Sequence, residues 1–295
     1  MSGIEEGMIL QERYRILRKI GEGGMAEIYL VEDERLGRNW AMKCVNLSGG
    51  EEWRQQAYEA ERRILVQISH PAFPMLVDTF SLGERSFLIM EWLEGENLEE
   101  YLERNKRIRE TEAKEIVLKI MMALSYLHRQ TPSIVYGDLK PANIILQREK
   151  RVRLLDFGSA VWGEERFVIG TPDYAAPEQL LSERTQIDQR SDIYAVGILY
   201  AEMLTGQRTG RAFLQNPFLP KYVRRFIQIC TRHKPEERFQ TIEEAIGFLT
   251  DRGKRKKKEQ FIIQDLERIL LIEDPKNIGK GESECWETGK KEQER

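Results

Sequence analysis

The chain has 295 residues, 49 acidic against 46 basic, for a net charge of −3. So even a balance gives no support to general nucleic-acid binding, and 41% apolar with 32% charged residues is an ordinary globular composition rather than a disordered one. Cys44, Cys230 and Cys285 are scattered and odd in number, which excludes a disulfide framework, matches no metal-ligand spacing and suits a reducing compartment.

The N-terminal "MSGIEEGMIL" has neither the basic start nor the apolar centre of a signal peptide. The longest apolar run, "IYAVGILYAEML", is short of the ~20 residues of a spanning helix and contains Glu202. A cytoplasmic protein is therefore expected.

In chain order, "YRILRKIGEGG" and "AEIYLVEDERLGRNWAMKCVNL" read as β-rich segments, the second turning around Gly37. "EEWRQQAYEAERRILVQIS" has helical periodicity, with Ala57, Ala60, Ile64, Leu65 and Ile68 on one side. "PMLVDTFSLGERSFLIMEWL" reads as a hairpin turning at Gly83 and Glu84. From Asn97 the pattern becomes helical: "NLEEYLERN", "TEAKEIVLKIMMALSYLHRQ", "SDIYAVGILYAEMLTG" and "LPKYVRRFIQICTR". A small β-rich lobe followed by a larger helical one is expected. No internal repeat is found. From Asp251 the chain opens with the charge run 254–258 and ends in a polar stretch expected to be disordered.

Several residues carry chemistry. In "GEGGMAEIY", Gly21 and Gly23 would let the backbone approach phosphates and supply positive φ; a plain hairpin turn reads equally well. Lys43 stands in the otherwise apolar strand "WAMKC". It is either an edge-strand guard against aggregation or a nucleotide-site cation. A half-buried lysine needs a counter-charge. Glu61 lies four residues before core-facing Leu65 and is the better partner; Glu59 reads as a solvated charge. In "YGDLKPANIIL", Asp138 could take a proton from an attacking hydroxyl, and Lys140 could reach a γ-phosphate. Asn143, with Asp156 of "LLDFG", offers the oxygens that a metal such as Mg²⁺ prefers.

This set, in this order, resembles the protein kinases, and "GEGGMAEIY" with "GTPDYAAPE" is similar to the bacterial, eukaryotic-like (Hanks-type) serine/threonine kinases. The resemblance covers residues 12–250. It implies an α+β, two-lobed kinase fold. A small antiparallel N-lobe with one main helix would span 12–92, and a mainly helical C-lobe 93–250, followed by a charged tail over 251–295. It implies ATP as substrate, Mg²⁺ or Mn²⁺ as the metal, and proteins bearing Ser or Thr as acceptors. By motif position, Lys43 would bind the α- and β-phosphates and pair with Glu61, Asp138 would be the base, and Asn143 and Asp156 would hold metal. Ile20, Gly21, Gly23, Ile28, Ala41 and Ile145 would enclose the nucleotide. Met90 would close the back of the adenine pocket, with Glu91 to Leu93 as the hinge. Thr171 would support Asp138 and Lys140, and Arg238 of "KPEERF" would pair with Glu178.

The sequence departs from the family pattern at four places. Ala26 replaces a loop glycine. Tyr136 replaces a histidine and is expected to stack on Phe157, in line with Leu65 and Leu76. Gly137 replaces the arginine that would pair with a phosphorylated activation loop, and between Ser159 and Thr171 there is no Ser, Thr or Tyr to phosphorylate. A kinase not switched by activation-loop phosphorylation is expected, its loop held by packing of Trp162, Phe167 and Val168. After Gly206 a shortened segment implies a trimmed C-lobe. Two alternatives stand beside this reading: a small-molecule kinase of the aminoglycoside phosphotransferase type, which shares the Gly-Asp pair, and an ATP-binding scaffold without chemistry. The tail over 254–272 offers either a helix packing back on the lobe or a basic amphipathic contact with acidic lipid or a partner.

Overall fold

The computed structural model of the chain describes residues 4–23, 26–48, 52–163, 171–180, 187–207 and 219–251. Met1–Ile246 forms one compact unit, whose architecture follows; a second takes in Gly247–Arg295, of which residues 247–251 are described. Phe167, Val168, the shortened segment over 208–218 and the tail over 252–295 lie outside the described residues.

The N-terminal part is a six-stranded antiparallel sheet. Its strands are β1 (Ile9–Leu10), β2 (Tyr14–Glu22), β3 (Ala26–Asp33), β4 (Arg38–Asn46), β5 (Leu76–Leu82) and β6 (Arg85–Glu91), in the order β1-β2-β3-β4-β6-β5. Side chains alternate across a strand, so residues two apart share a face. Tyr14 and Ile16, Tyr29 and Val31, Trp40, Met42 and Cys44, and Phe87 and Ile89 accordingly form one buried cluster on one face. The other face carries Lys43, whose cross-strand partners are Ile28 and Leu88, and Ala41, whose partners are Leu30 and Met90. The hairpin of β5 and β6 turns at Gly83, which takes φ +59°.

β4 lies between β3 and β6, in the interior of the sheet. That position removes the edge-strand explanation of Lys43. Helix α1 (Glu52–Gln67) buries Ala57, Tyr58, Ala60, Glu61, Ile64 and Leu65. A carboxylate among those apolar positions must meet a cation or lose its charge.

The C-terminal part is mainly helical. α2 (Leu98–Asn105) is capped by Asn97, whose side chain accepts the Glu100 N–H at 2.8 Å. α3 (Glu110–His128) and α5 (Gln189–Thr205) are buried along most of their length, and α6 (Lys221–Cys230) packs on α5. Between them run the short strands β7 (Glu96–Asn97), β8 (Ile134–Val135), β9 (Ile144–Leu146), β10 (Val152–Leu154) and β11 (Val161–Trp162). They form the sheets β10-β9-β7 and β11-β8. These strands set the positions of the loops that carry Asp138, Asn143 and Asp156. The short helix α4 (Pro177–Leu180) follows the "GTPDYAA" segment. Among the described residues, no helix is long and apolar enough to cross a membrane.

Candidate active site

Lys43 is 6% exposed and Glu61 2%. Lys43 Nζ lies 2.6 Å from one Glu61 oxygen and 2.8 Å from the other, and 2.7 Å from Asp156 Oδ1. Glu61 also accepts the backbone N–H of Phe157. Glu59 instead pairs with Arg62 at 2.9 Å in a half-exposed contact. Burial works against the Lys43 ammonium, but Asp156 and Glu61 outweigh it and hold its pKa above the ordinary lysine value. Burial raises the Glu61 carboxyl against the pull of Lys43. For Asp156, whose side chain is 45% exposed, partial burial is the opposing influence; Lys43, the Gly158 N–H and Lys140 overcome it and hold the carboxyl below its ordinary value. Asp156 takes φ +61°, which swings its side chain away from the strand direction and towards Lys43.

The second cluster centres on Asp138, 9% exposed. Its Oδ1 accepts the backbone N–H and the hydroxyl of Thr171, both at 2.8 Å. Its Oδ2 faces Lys140 Nζ at 2.7 Å and the Asn143 amide at 3.1 Å. Lys140 also donates to Thr171 Oγ1 at 2.7 Å. Asn143 Nδ2 is spent on Asp138, through its carboxylate and its backbone carbonyl at 2.9 Å, which leaves Oδ1 as the acceptor of that side chain. The Leu155 N–H donates to Asn143 O at 2.8 Å and ties the two clusters together. An Asn oxygen and a carboxylate on adjoining loops are hard oxygen donors, and they fit a divalent cation that keeps most of its waters.

The positions assigned to the nucleotide divide. Ile28, Ala41 and Met90 share the Lys43 face of the sheet, and Gly21 pairs with Ile28 on that face. Ile20 lies in β2 at the register shift between Lys19 and Gly21. Leu93 is buried just after β6. Glu91 sends its carboxylate to Arg153 at 2.5 Å, and its backbone N–H to Met75 O at 2.9 Å. Ile145 belongs to β9, with its Cγ2 against Gly95.

Two expectations need correction. Gly21 and Gly23 are not in positive-φ conformations. Gly21 is an extended strand residue paired with Ile28, and a Cβ at Gly23 would meet nothing within 4 Å. Gly21 provides a strand surface without a side chain, and Gly23, just past β2, leaves the space beside it open. Tyr136 does not stack on Phe157: the rings meet edge to face, centroids 5.6 Å apart at 84°. The Tyr136 hydroxyl donates to Leu155 O, and that bond turns the ring. The second aromatic neighbour of Phe157 is Phe73, at 5.4 Å.

The sequence reading gave no role to Asp192, which lies in the motif "SDIYAVG", or to His128. Asp192 is 1% exposed on α5 and accepts the backbone N–H groups of Tyr136 and Gly137, each at 2.9 Å, while His128 Nε2 lies 2.8 Å from it. A lone aspartate inside the apolar run "SDIYAVG" was the available signal.

Gly137 has φ +81°, and a Cβ built there would overlap the carbonyl oxygen of Ser159. The glycine is thus required by backbone conformation and by a close approach. Gly137→Ala is expected to lower stability by about 1–3 kcal/mol, read as a fall in the urea midpoint. Gly137→Arg meets the same overlap, so it should lose stability rather than restore a regulatory arginine. An unchanged midpoint for Gly137→Ala would show that the loop relaxes freely.

Residues 14–267 match the family described as "Protein kinase domain". The chain belongs to the protein kinase family. It is 35% identical over 218 residues to a probable serine/threonine-protein kinase of Streptomyces coelicolor, covering 68% of this chain and 31% of that protein. It is 30% identical over 295 residues to serine/threonine-protein kinase PrkC of Bacillus subtilis, covering 89% and 44%. The cAMP-dependent protein kinase catalytic subunit of Dictyostelium discoideum is 32% identical over 198 residues, covering 66% and 30%. The chain therefore spans less than half the length of these curated relatives. The α+β architecture, an antiparallel N-terminal sheet with one helix and a helical C-terminal part, is that of the family.

Proposed function

We propose that this kinase domain transfers the γ-phosphate of ATP to serine or threonine hydroxyls of protein substrates. The observation that carries the reading is the convergence on Asp138: a carboxylate held from one side by Thr171 and from the other by Lys140 and Asn143. In this reading Asp138 accepts the proton of the incoming hydroxyl as its oxygen bonds to the γ-phosphorus and the bond to the bridging oxygen of ADP breaks. Lys140 sits where its ammonium can balance charge on the phosphoryl group in transit. Lys43, held by Glu61, is aimed at the α- and β-phosphates. The sheet face of Ile28, Ala41 and Met90 receives the adenine, with Glu91 and Leu93 beside it; Ile20, Gly21, Gly23 and Ile145 complete the enclosure. Asn143 and Asp156 would hold Mg²⁺ or Mn²⁺, which would supply positive charge against the phosphates.

We further propose that activation-loop phosphorylation is not its switch. What supports this is the anchoring of both ends of that segment without phosphate. At the entry, Val161 and Trp162 pair with β8, and Trp162 Nε1 donates to Pro132 O at 3.1 Å. At the exit, Thr171 is bonded to Asp138 and Tyr174 OH to Glu202 at 2.6 Å. The same anchored exit segment favours a peptide over a small-molecule acceptor.

The test offers γ-labelled ATP and Mg²⁺ with either a basic protein rich in Ser and Thr or an aminoglycoside. Label in phosphoserine or phosphothreonine is expected. Label in the aminoglycoside would establish the small-molecule reading, and nucleotide binding without transfer the scaffold reading. Activation on phosphorylation of Thr171 would overturn the proposal about the switch.

A further inference from the structure

Gln179 follows Glu178 on α4 and is 7% exposed. Its Nε2 donates to the carbonyl oxygen of Gly137 at 2.8 Å. Its Oε1 accepts the backbone N–H of Ala176 at 2.9 Å. The amide has one orientation here, because a carbonyl oxygen can only accept and a backbone N–H can only donate.

Gly137 immediately precedes Asp138, and its own N–H donates to Asp192 Oδ1 at 2.9 Å. The two peptide planes that meet at the Gly137 Cα are thus pinned separately, one by Asp192 and the other by Gln179. Glycine has the widest backbone freedom of any residue, so a base that follows a glycine keeps its place only if both planes are held. Gln179 stands one residue past Glu178, in the helix that ends the segment 171–177, whose first residue, Thr171, holds the Asp138 carboxylate.

We infer that Gln179 is a positioning residue that couples the substrate-binding segment to the base, by fixing the Gly137–Asp138 peptide from the Ala176 side. This rests on the kinase reading above and extends it. With Gly137 where an arginine would answer a phosphate, this amide supplies a permanent link between the two segments. It acts through Asp138 and touches no reacting atom.

The experiment uses the full chain with ATP, Mg²⁺ and a Ser/Thr-rich basic protein, from pH 5.5 to 8. Gln179→Ala is expected to lower kcat by about 10–100-fold, the equivalent of one buried hydrogen bond with its partner left unpaired, with KM for ATP unchanged. Gln179→Glu is the sharper probe. Ionised, it presents an oxygen to Gly137 O and loses a similar factor. Protonated, it donates to Gly137 O while still accepting from Ala176, so the ratio of mutant to wild-type kcat should climb towards one as pH falls. The titratable groups around this amide are Asp138 and Tyr136 on the loop, Asp192 with His128, and Glu178 with Arg238. Wild type and variant share them, so the ratio removes their common effect. A ratio flat across pH, or a change confined to KM for ATP, overturns the inference while wild type remains active. A wild type that transfers nothing overturns the kinase reading itself and this inference with it. Should Gln179→Glu fail to fold, Gln179→Met keeps the length without the hydrogen bonds, and a wild-type kcat in that variant is equally fatal.

Discussion

Asp138→Asn is expected to lower phosphate transfer by about 10²–10⁴-fold and to leave nucleotide binding near wild type. The loss has two sources. The amide cannot take the hydroxyl proton. It also cannot satisfy its surroundings: Thr171 presents two donors to Oδ1, while Lys140 and Asn143 present donors to Oδ2. Whichever way the asparagine turns, its NH₂ meets another donor, the Thr171 N–H on one side or Lys140 and the Asn143 amide on the other. Nucleotide affinity should survive because the groups proposed to meet the phosphates, Lys43 with Glu61 and Asp156, are held by one another and not by Asp138. Rapid-quench turnover and equilibrium nucleotide binding separate these effects. A mutant that turns over like wild type would remove Asp138 from the role of base, and a mutant that loses nucleotide equally would mean the two clusters are one cooperative unit.

The sequence disclosed the parts of this site that obey a local rule. Lys43 was conspicuous because a strand period buries it, and Glu61 because a helix period sets it on the face of Leu65; the two meet at 2.6 Å. The hairpin at Gly83 and the helical patterns after Asn97 were legible for the same reason. Residues that act on backbone groups were not. Asp192 and Gln179 are 55 and 42 positions from the Gly137 atoms they hold, and no periodicity marks an acceptor for a distant N–H. Phe73, in the loop before β5, gave no pattern, because its partner Phe157 lies far along the chain and is met only in the folded structure. The glycines were misread for a related reason. Composition shows that a glycine is present, but not whether it serves a positive φ, as at Gly137, or a bare strand surface, as at Gly21.

Removing Arg238 should cost about 3–5 kcal/mol, because it leaves a buried carboxylate uncompensated. Arg238 is 4% exposed and Glu178 7%. The guanidinium gives two parallel bonds to Glu178, at 2.6 and 2.7 Å, and its remaining donors reach the carbonyl oxygens of Arg190, Arg232 and His233. All five N–H groups are thereby engaged, an arrangement that lysine cannot reproduce. Burial alone would raise the Glu178 carboxyl, but Arg238 and the Ser191 hydroxyl outweigh it and hold the group below its ordinary value. A carboxyl that titrates lower when folded stabilises fully above the unfolded glutamate range, and this contribution is lost as pH falls through the folded value. In Arg238→Ala the sign reverses. Glu178 is then buried without its cation, titrates high, and is relieved by protonation. The stability difference between wild type and Arg238→Ala should therefore shrink on acidification from pH 7 towards 4.5, as read from urea midpoints. A difference that stays constant would assign the cost to lost packing against Tyr194, whose ring lies 5.0 Å from the guanidinium, instead of to the ion pair. Activity should fall further than the folded fraction alone, because Glu178 is the residue next to Gln179, and a loosened Glu178 frees the amide that fixes the peptide before Asp138.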